Sequence, residues 1–345
     1  MDAWRGLDGE QARMLVDTRQ LWEAWQDGEG RRRRYEGSLA WQTSKGREYL
    51  VKWVKDPATG VRKAKGMGPR SPETEAVMDG WAKGKAEAKE RMVALNARMS
   101  RQARLNQAVG IARVPAVAAR ILRLLDRERL LGRNVTVAGM NALYAYEAAA
   151  GVMFGREYLA TGDLDLLFEA RARLKLSVEG IEPAKVIDVL AAADATFVPV
   201  EGAGYKAVNA QGYFVDLIKP EPSPPWKAER ERIGEGDLTA SPVPNLKWLA
   251  NAPKFEAVAI GSDGRPVPMS CPDPRAFALF KLWLGKAALD RDPAKRDRDV
   301  AQAEAVARLV VDRLPQLPFE PEHLKCFPKA VVDMASEGDD PFFKV

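Results

Sequence analysis

Ala160-Thr161-Gly162-Asp163-Leu164-Asp165-Leu166-Leu167 is the stretch on which the reading of the whole chain turns. A strand sends alternate side chains to opposite faces, so Asp163 and Asp165 fall on one face and Leu164 and Leu166 on the other. Both carboxylates can then reach one metal pair. About twenty residues upstream, Val135-Thr136-Val137-Ala138 reads as an apolar strand, followed by Gly139 and a helical stretch over residues 141–149. Downstream, Tyr213-Phe214-Val215-Asp216-Leu217-Ile218 reads as a third strand with one acid at its centre. Acids two apart also suit the solvated face of a half-buried sheet. Asp216 is harder to place that way, because apolar neighbours surround it and an unpaired buried carboxylate is costly. The metal-site reading of all three acids is therefore preferred.

Glycine turn, paired acids and a later strand acid, in that order, resemble the nucleotidyltransferases of the DNA polymerase beta superfamily. The run Val137-Ala138-Gly139-Met140-Asn141-Ala142-Leu143-Tyr144-Ala145-Tyr146-Glu147, then Ala150-Gly151-Val152, looks like a bacterial group of nucleotidyltransferase-like proteins, as do Gly66-Met67-Gly68-Pro69-Arg70-Ser71-Pro72-Glu73-Thr74-Glu75 and Arg113-Val114-Pro115. The likeness covers roughly residues 35–305. It implies an α+β fold, a mixed sheet with helices mainly on one face, and metal-dependent transfer of an NMP from an NTP to a hydroxyl acceptor.

Such transfer needs charge neutralisation on a triphosphate and activation of a hydroxyl, work that two cations about 3.5–4 Å apart perform together. Mg²⁺, or Mn²⁺ in its place, is held by one or two carboxylates with phosphate and water completing its shell. Asp163 and Asp165 would share the metals, and Asp216 would bind the one that activates the acceptor and take up its proton. Gly139, opening a helix, would let backbone N–H groups approach the triphosphate. The resemblance also implies that a lysine on the helix after the sheet reaches the triphosphate, and Lys281 occupies that place. Arg291, Lys295 and Asp299 resemble the charged helix start that follows, with Asp299 expected to orient Lys295 at i,i+4.

The pattern departs from the family at Met140, where related enzymes carry Ser, Thr or Gly. A thioether cannot donate a hydrogen bond to phosphate. Asn141 offers an amide one residue later, but about 100° further round a helix. Met140 thus supports an alternative, a non-catalytic nucleotide- or nucleic-acid-binding protein that retains the fold; the intact acid triad opposes it.

Composition excludes several other classes. The single histidine, His323, rules out multi-histidine metal centres and histidine triads, and reads as a surface residue. Cys271 and Cys326 are the only cysteines, so neither a disulfide framework nor a zinc site is expected. Residues 60–68 hold glycines and lysines but lack the Gly-Lys-Ser/Thr ending of a phosphate loop. No signal-peptide core or membrane-length apolar run is present, which makes the cytoplasm the expected location.

Charge is uneven. Residues 1–130 carry 27 Lys/Arg and 17 Asp/Glu, a net of +10, whereas residues 131–345 have a net of −5. Such asymmetry suits RNA or another polyanionic acceptor, guided by the arginines at 31–34 with Lys52 and Lys55, and equally suits a solubilising surface.

Three regions are expected: a basic hairpin and helical region over 1–130, the catalytic domain over 131–270, and a helical region over 271–345. Within the first, Trp4, Trp22 and Trp25 fit an amphipathic helix, and the four arginines after the Gly28-Glu29-Gly30 break read as a solvated loop. Strands follow at 38–42 and 48–54, then a turn at 56–60, and one long charged helix at 73–108 with an apolar stripe of Met78, Trp81, Ala88, Met92, Leu95 and Met99. Further helices are expected at 115–131, 183–192, 274–289 and 294–313, a strand at 196–200, and a hairpin at 255–269.

Overall fold

Trp4 does not join the first helix. It lies in a short strand, β1 (Trp4–Gly6), that pairs antiparallel with Val152–Phe154, while helix α1 spans Gly9–Arg34. The computed structural model describes residues 3–55, 61–159, 162–169, 185–222, 236–288 and 291–336; the expected turn at 56–60 lies outside them, as do residues 183 and 184. By contacts the chain divides into two units, Val16–Leu105 on its own and Met1–Leu15 with Asn106–Val345.

The Val16–Leu105 unit combines most of α1 and of helix α2 (Pro72–Ala108) with a three-stranded antiparallel sheet, β2 (Ser38–Ser44), β3 (Arg47–Lys55) and β4 (Arg62–Pro69). The arginines at 31–34 correct the loop expectation, for they form the last turn of α1. Gly28 is not a helix breaker here: a Cβ on it would lie 2.9 Å from the side chains of Leu95 and Met92, so the glycine permits close packing on α2. Acids one turn back hold the arginines in helical register, Arg31 to Asp27 at 3.1 Å and Arg32 to Glu29 at 2.7 Å. Ser71 and Thr74 open α2 by accepting from each other's backbone N–H, a reciprocal cap. Ala88, Met92, Leu95 and Met99 are buried, as the apolar stripe predicts.

The second unit is an α+β module. Helix α3 (Ala116–Arg127) follows Pro115 and buries Ala118, Ala119, Ile121, Leu122 and Leu125. Then come β5 (Val135–Ala138), a 3₁₀ turn over Gly139–Ala142, helix α4 (Leu143–Ala150), β6 (Val152–Phe154), a single turn α5 (Arg156–Leu159) and β7 (Asp163–Phe168). Helix α6 (Val186–Ala193) precedes β8 (Val198–Val200), β9 (Ala203–Val208), β10 (Phe214–Pro220) and β11 (Ser241–Val243). The sheet order is β5-β7-β10-β9-β8, with β11 alongside the end of β10. β10 runs parallel to β7 and β11 and antiparallel to β9, which makes the sheet mixed.

Helix α7 (Lys247–Asn251) leads into the hairpin β12 (Lys254–Ile260) and β13 (Pro266–Pro272). Helices α8 (Pro274–Lys286), α9 (Pro293–Arg313) and α10 (Lys329–Ser336) follow. Asp273 and Asp292 start α8 and α9 as N-caps, each with proline in the first turn, and accept from Arg275 N–H at 2.8 Å and Ala294 N–H at 3.0 Å. Tyr146 ties α4 to β13 by donating to the Pro272 carbonyl at 2.7 Å, with the Phe255 and Phe277 rings edge-on to it. Burying a ring of this size stabilises by roughly 2–3 kcal/mol, and its hydroxyl is satisfied as well. Among the described residues no helix is long and apolar enough to cross a membrane.

Candidate active site

Alternation along β7 and β10 sorts the site from the core. Leu164, Leu166, Val215 and Leu217 are fully buried, whereas Asp163, Asp165 and Asp216 occupy the opposite, partly open face. The parallel register sets Asp216 directly beside Asp165 and Phe214 beside Asp163. All three acids therefore share one face, as the strand spacing predicts for the first two.

Gly139 closes in from β5, whose last residue, Ala138, pairs with Asp165. Its φ is +62°, and a Cβ built there would stand 2.1 Å from Asp165 Oδ2. Only glycine meets both demands, the left-handed backbone and the close approach to a carboxylate. Asn141, in the same turn, is buried and donates its side-chain N–H to the Asp163 carbonyl at 2.8 Å. Its amide thus positions the acid strand. Met140 is half-buried in the same turn.

The electrostatics are those of crowded acids with too little positive charge. Burial, reinforced by the Asp163 and Asp216 charges, pushes the Asp165 carboxyl up to about 6, against the pull of Lys281 and Lys206. Asp216 is also raised, first by burial, while its contact with Lys206 opposes the shift. Lys206 Nζ stands 3.1 Å from Asp216 Oδ2, and the other oxygen, Oδ1, is buried without a hydrogen-bond partner. Hard oxygens on one face, mutual repulsion and an orphaned carboxylate oxygen fit a divalent cation. The three acids share the face without closing to a cluster in which all ligand oxygens lie within 4.8 Å.

Lys281 is buried on α8, close enough to Asp165 to depress that carboxyl's pKa. Its Nζ lies 2.6 Å from Asp299 Oδ1, and Arg291 Nε donates to Asp299 Oδ2 at 2.6 Å. This corrects the expected Asp299–Lys295 pairing: Asp299 faces α8 and is fully buried, while Lys295 is exposed. Burial lowers the Lys281 pKa and the Asp299 carboxylate counteracts it.

Sequence reasoning missed Lys206 and Tyr213. The first reaches Asp216 because β9 and β10 form a hairpin that sets the two residues opposite each other; its signal is the Asn209-Ala210-Gln211-Gly212 turn. Tyr213 donates to the Asp163 carbonyl at 3.4 Å, and burial, then the Asp163 charge, raises its pKa far above the ordinary phenol value. Elsewhere, Glu320, Glu322 and His323 are the one set of three potential metal ligands within 4.8 Å of one another among the described residues, and all three are exposed.

A family model described as nucleotidyltransferase matches residues 116–326, more than half of the chain. The chain belongs to that family. The matched span contains Gly139, Asp163, Asp165, Asp216 and Lys281. Comparison with curated proteins and with solved structures gives no match.

Proposed function

We propose that this member of the nucleotidyltransferase family transfers an NMP from an NTP to a hydroxyl acceptor, with pyrophosphate leaving. The observation that carries this reading is the register that sets Asp216 beside Asp165, on the face shared with Asp163, under a glycine that no other residue could replace. Asp163, Asp165 and Asp216 would hold Mg²⁺ or Mn²⁺, which supplies charge neutralisation on the triphosphate and lowers the pKa of the acceptor hydroxyl.

The remaining work falls to the chain itself. Backbone at Gly139 comes close to Asp165 and gives the triphosphate an approach free of side-chain bulk. Lys281, kept charged by Asp299, offers its ammonium group to the phosphates. Asp216 takes the acceptor proton as the acceptor oxygen bonds to the α-phosphorus; the bond from that phosphorus to the oxygen bridging the α- and β-phosphates breaks, and its electrons leave with pyrophosphate. Leu164, Leu166, Val215 and Leu217 pack the other face of the same strands into the core and hold the three acids in register.

A polyanion such as RNA is one acceptor consistent with the basic N-terminal region. Met140 keeps a second reading open, a nucleotide-binding protein without transfer. Nucleotide binding in the presence of Mn²⁺, measured together with pyrophosphate release, separates the two. Binding with release that Asp165→Asn abolishes supports transfer; tight binding with no release from any NTP, whatever acceptor is supplied, favours the non-catalytic reading.

A further inference from the structure

The Val16–Leu105 unit carries a charged surface of its own. Its three strands hold six cations, Arg47, Lys52, Lys55, Arg62, Lys63 and Lys65, against one acid, Glu48, which Arg70 engages at 2.7 Å. The antiparallel register sets Lys55 directly opposite Arg62 and Lys52 opposite Lys65. Like charges facing each other across a ladder destabilise a sheet unless an anion lies between them. Neither member of these two pairs has an ion pair with any described residue.

Strand alternation sorts these groups onto two faces. One face carries Leu39 and Leu50, both buried, together with Lys52, Lys63 and Lys65, so those three lysines lie away from the face that holds Arg47, Lys55 and Arg62. The other carries Ser38, Ala40 and Gln42, all exposed on β2, and the β3 series Arg47, Tyr49, Val51, Trp53, Lys55, with Arg62 beside Lys55. Along that face cations stand at both ends, and two half-buried aromatic rings flank the buried Val51 between them. No strand position on this face is acidic.

We propose that this open sheet face binds single-stranded nucleic acid, with Tyr49 and Trp53 stacking on bases and Arg47, Lys55 and Arg62 neutralising phosphates. The cations match a phosphate chain in sign. Half-buried rings beside cations suit unpaired bases, which a duplex would keep stacked on one another. The inference goes beyond the transfer reading and does not depend on it.

The test is fluorescence anisotropy of a labelled short oligouridine with the full chain across a salt series. Binding should weaken with salt, and changing Arg47, Lys55 and Arg62 together to Ser should cost at least about tenfold in affinity and flatten the log–log salt slope by roughly 2, given about 0.7 per phosphate on a single strand. These three positions are exposed, so the variant should keep the wild-type circular dichroism spectrum. Quenching of tryptophan fluorescence on binding should shrink in Trp53→Phe. Absence of binding at low salt, affinity and slope unchanged in the triple variant, or tighter binding of a duplex than of the single strand would overturn the proposal.

Discussion

Gly139 and Asp165 stand so close that the side chain of any other residue at 139 would enter the space of the carboxylate, 2.1 Å from Oδ2. The turn after β5 and the acid on β7 are therefore one unit, and the glycine is fixed by the acid as much as by its own backbone angle. Gly139→Ala should lose about 1–2 kcal/mol from the left-handed backbone alone, with the displacement of Asp165 adding to that. Thermal melting and Mn²⁺ titration check it; a variant with wild-type melting and wild-type metal affinity would show that the contact is dispensable.

The Lys281–Asp299–Arg291 cluster behaves asymmetrically under mutation. Asp299→Ala strips the carboxylate from two cations, one of them buried, and should cost about 3–5 kcal/mol in chemical denaturation. Lys281→Met should cost less, because Asp299 keeps Arg291. In activity, Lys281→Met should raise KM for the nucleotide more than it lowers kcat, and an unchanged KM would remove the lysine from the triphosphate.

Asp165 gives the protein a pH signature when no divalent metal is present. Its folded pKa, about 6, lies above the ordinary 3.8, so the folded state binds a proton more tightly than the unfolded chain. The stabilising effect of that proton is present below the ordinary value and disappears as pH rises through about 6. Asp165→Asn should therefore melt higher than wild type at pH 8, by roughly 1–3 kcal/mol, and nearly equal to it at pH 4. A variant less stable than wild type at pH 8 would assign Asp165 a structural role instead.

Lys206 is the only cation within ion-pair distance of Asp216 among the described residues. Removing it leaves the acid face more negative. Lys206→Met should bind Mn²⁺ roughly tenfold more tightly, a figure already reduced for the partial exposure of the pair. Isothermal titration without nucleotide measures this, and weaker binding in the variant would mean that Lys206 helps to build the metal site.

What the sequence disclosed followed short-range periodicity. Asp163-Leu164-Asp165-Leu166 placed two acids on one face because alternation is local, and Val135–Ala138 emerged residue for residue because three β-branched residues and an alanine lie between Asn134 and Gly139. Register across the chain is not written in local periodicity, and Asp216 joined the other two acids in the sequence reading through its apolar setting and the order of the motifs. Asp216 shares the face of Asp165 only because β10 pairs parallel with β7, and Lys206 meets Asp216 only through the β9–β10 hairpin. Local rules also misled where packing overrode them. Gly28 signalled a break, yet α1 continues because the glycine lets α2 approach, and Asp299 pointed to Lys295 by helical spacing, yet it turns inward to Lys281. No composition shift marks the ends of the Val16–Leu105 unit, which fall inside α1 and α2.

The central claim, nucleotidyl transfer by the acids of β7 and β10, is met most directly by following the two ends of the donor. Each NTP, labelled in turn at the α- and the γ-phosphate, is incubated with the protein, Mg²⁺ or Mn²⁺, and separate RNA, protein and small-molecule fractions of a cell extract. The expected result is α-label joined to one fraction and γ-label released as pyrophosphate, with both lost in Asp163→Asn, Asp165→Asn and Asp216→Asn variants that melt no lower than wild type. Transfer of γ-label, or α-label transfer that survives all three substitutions, would contradict it.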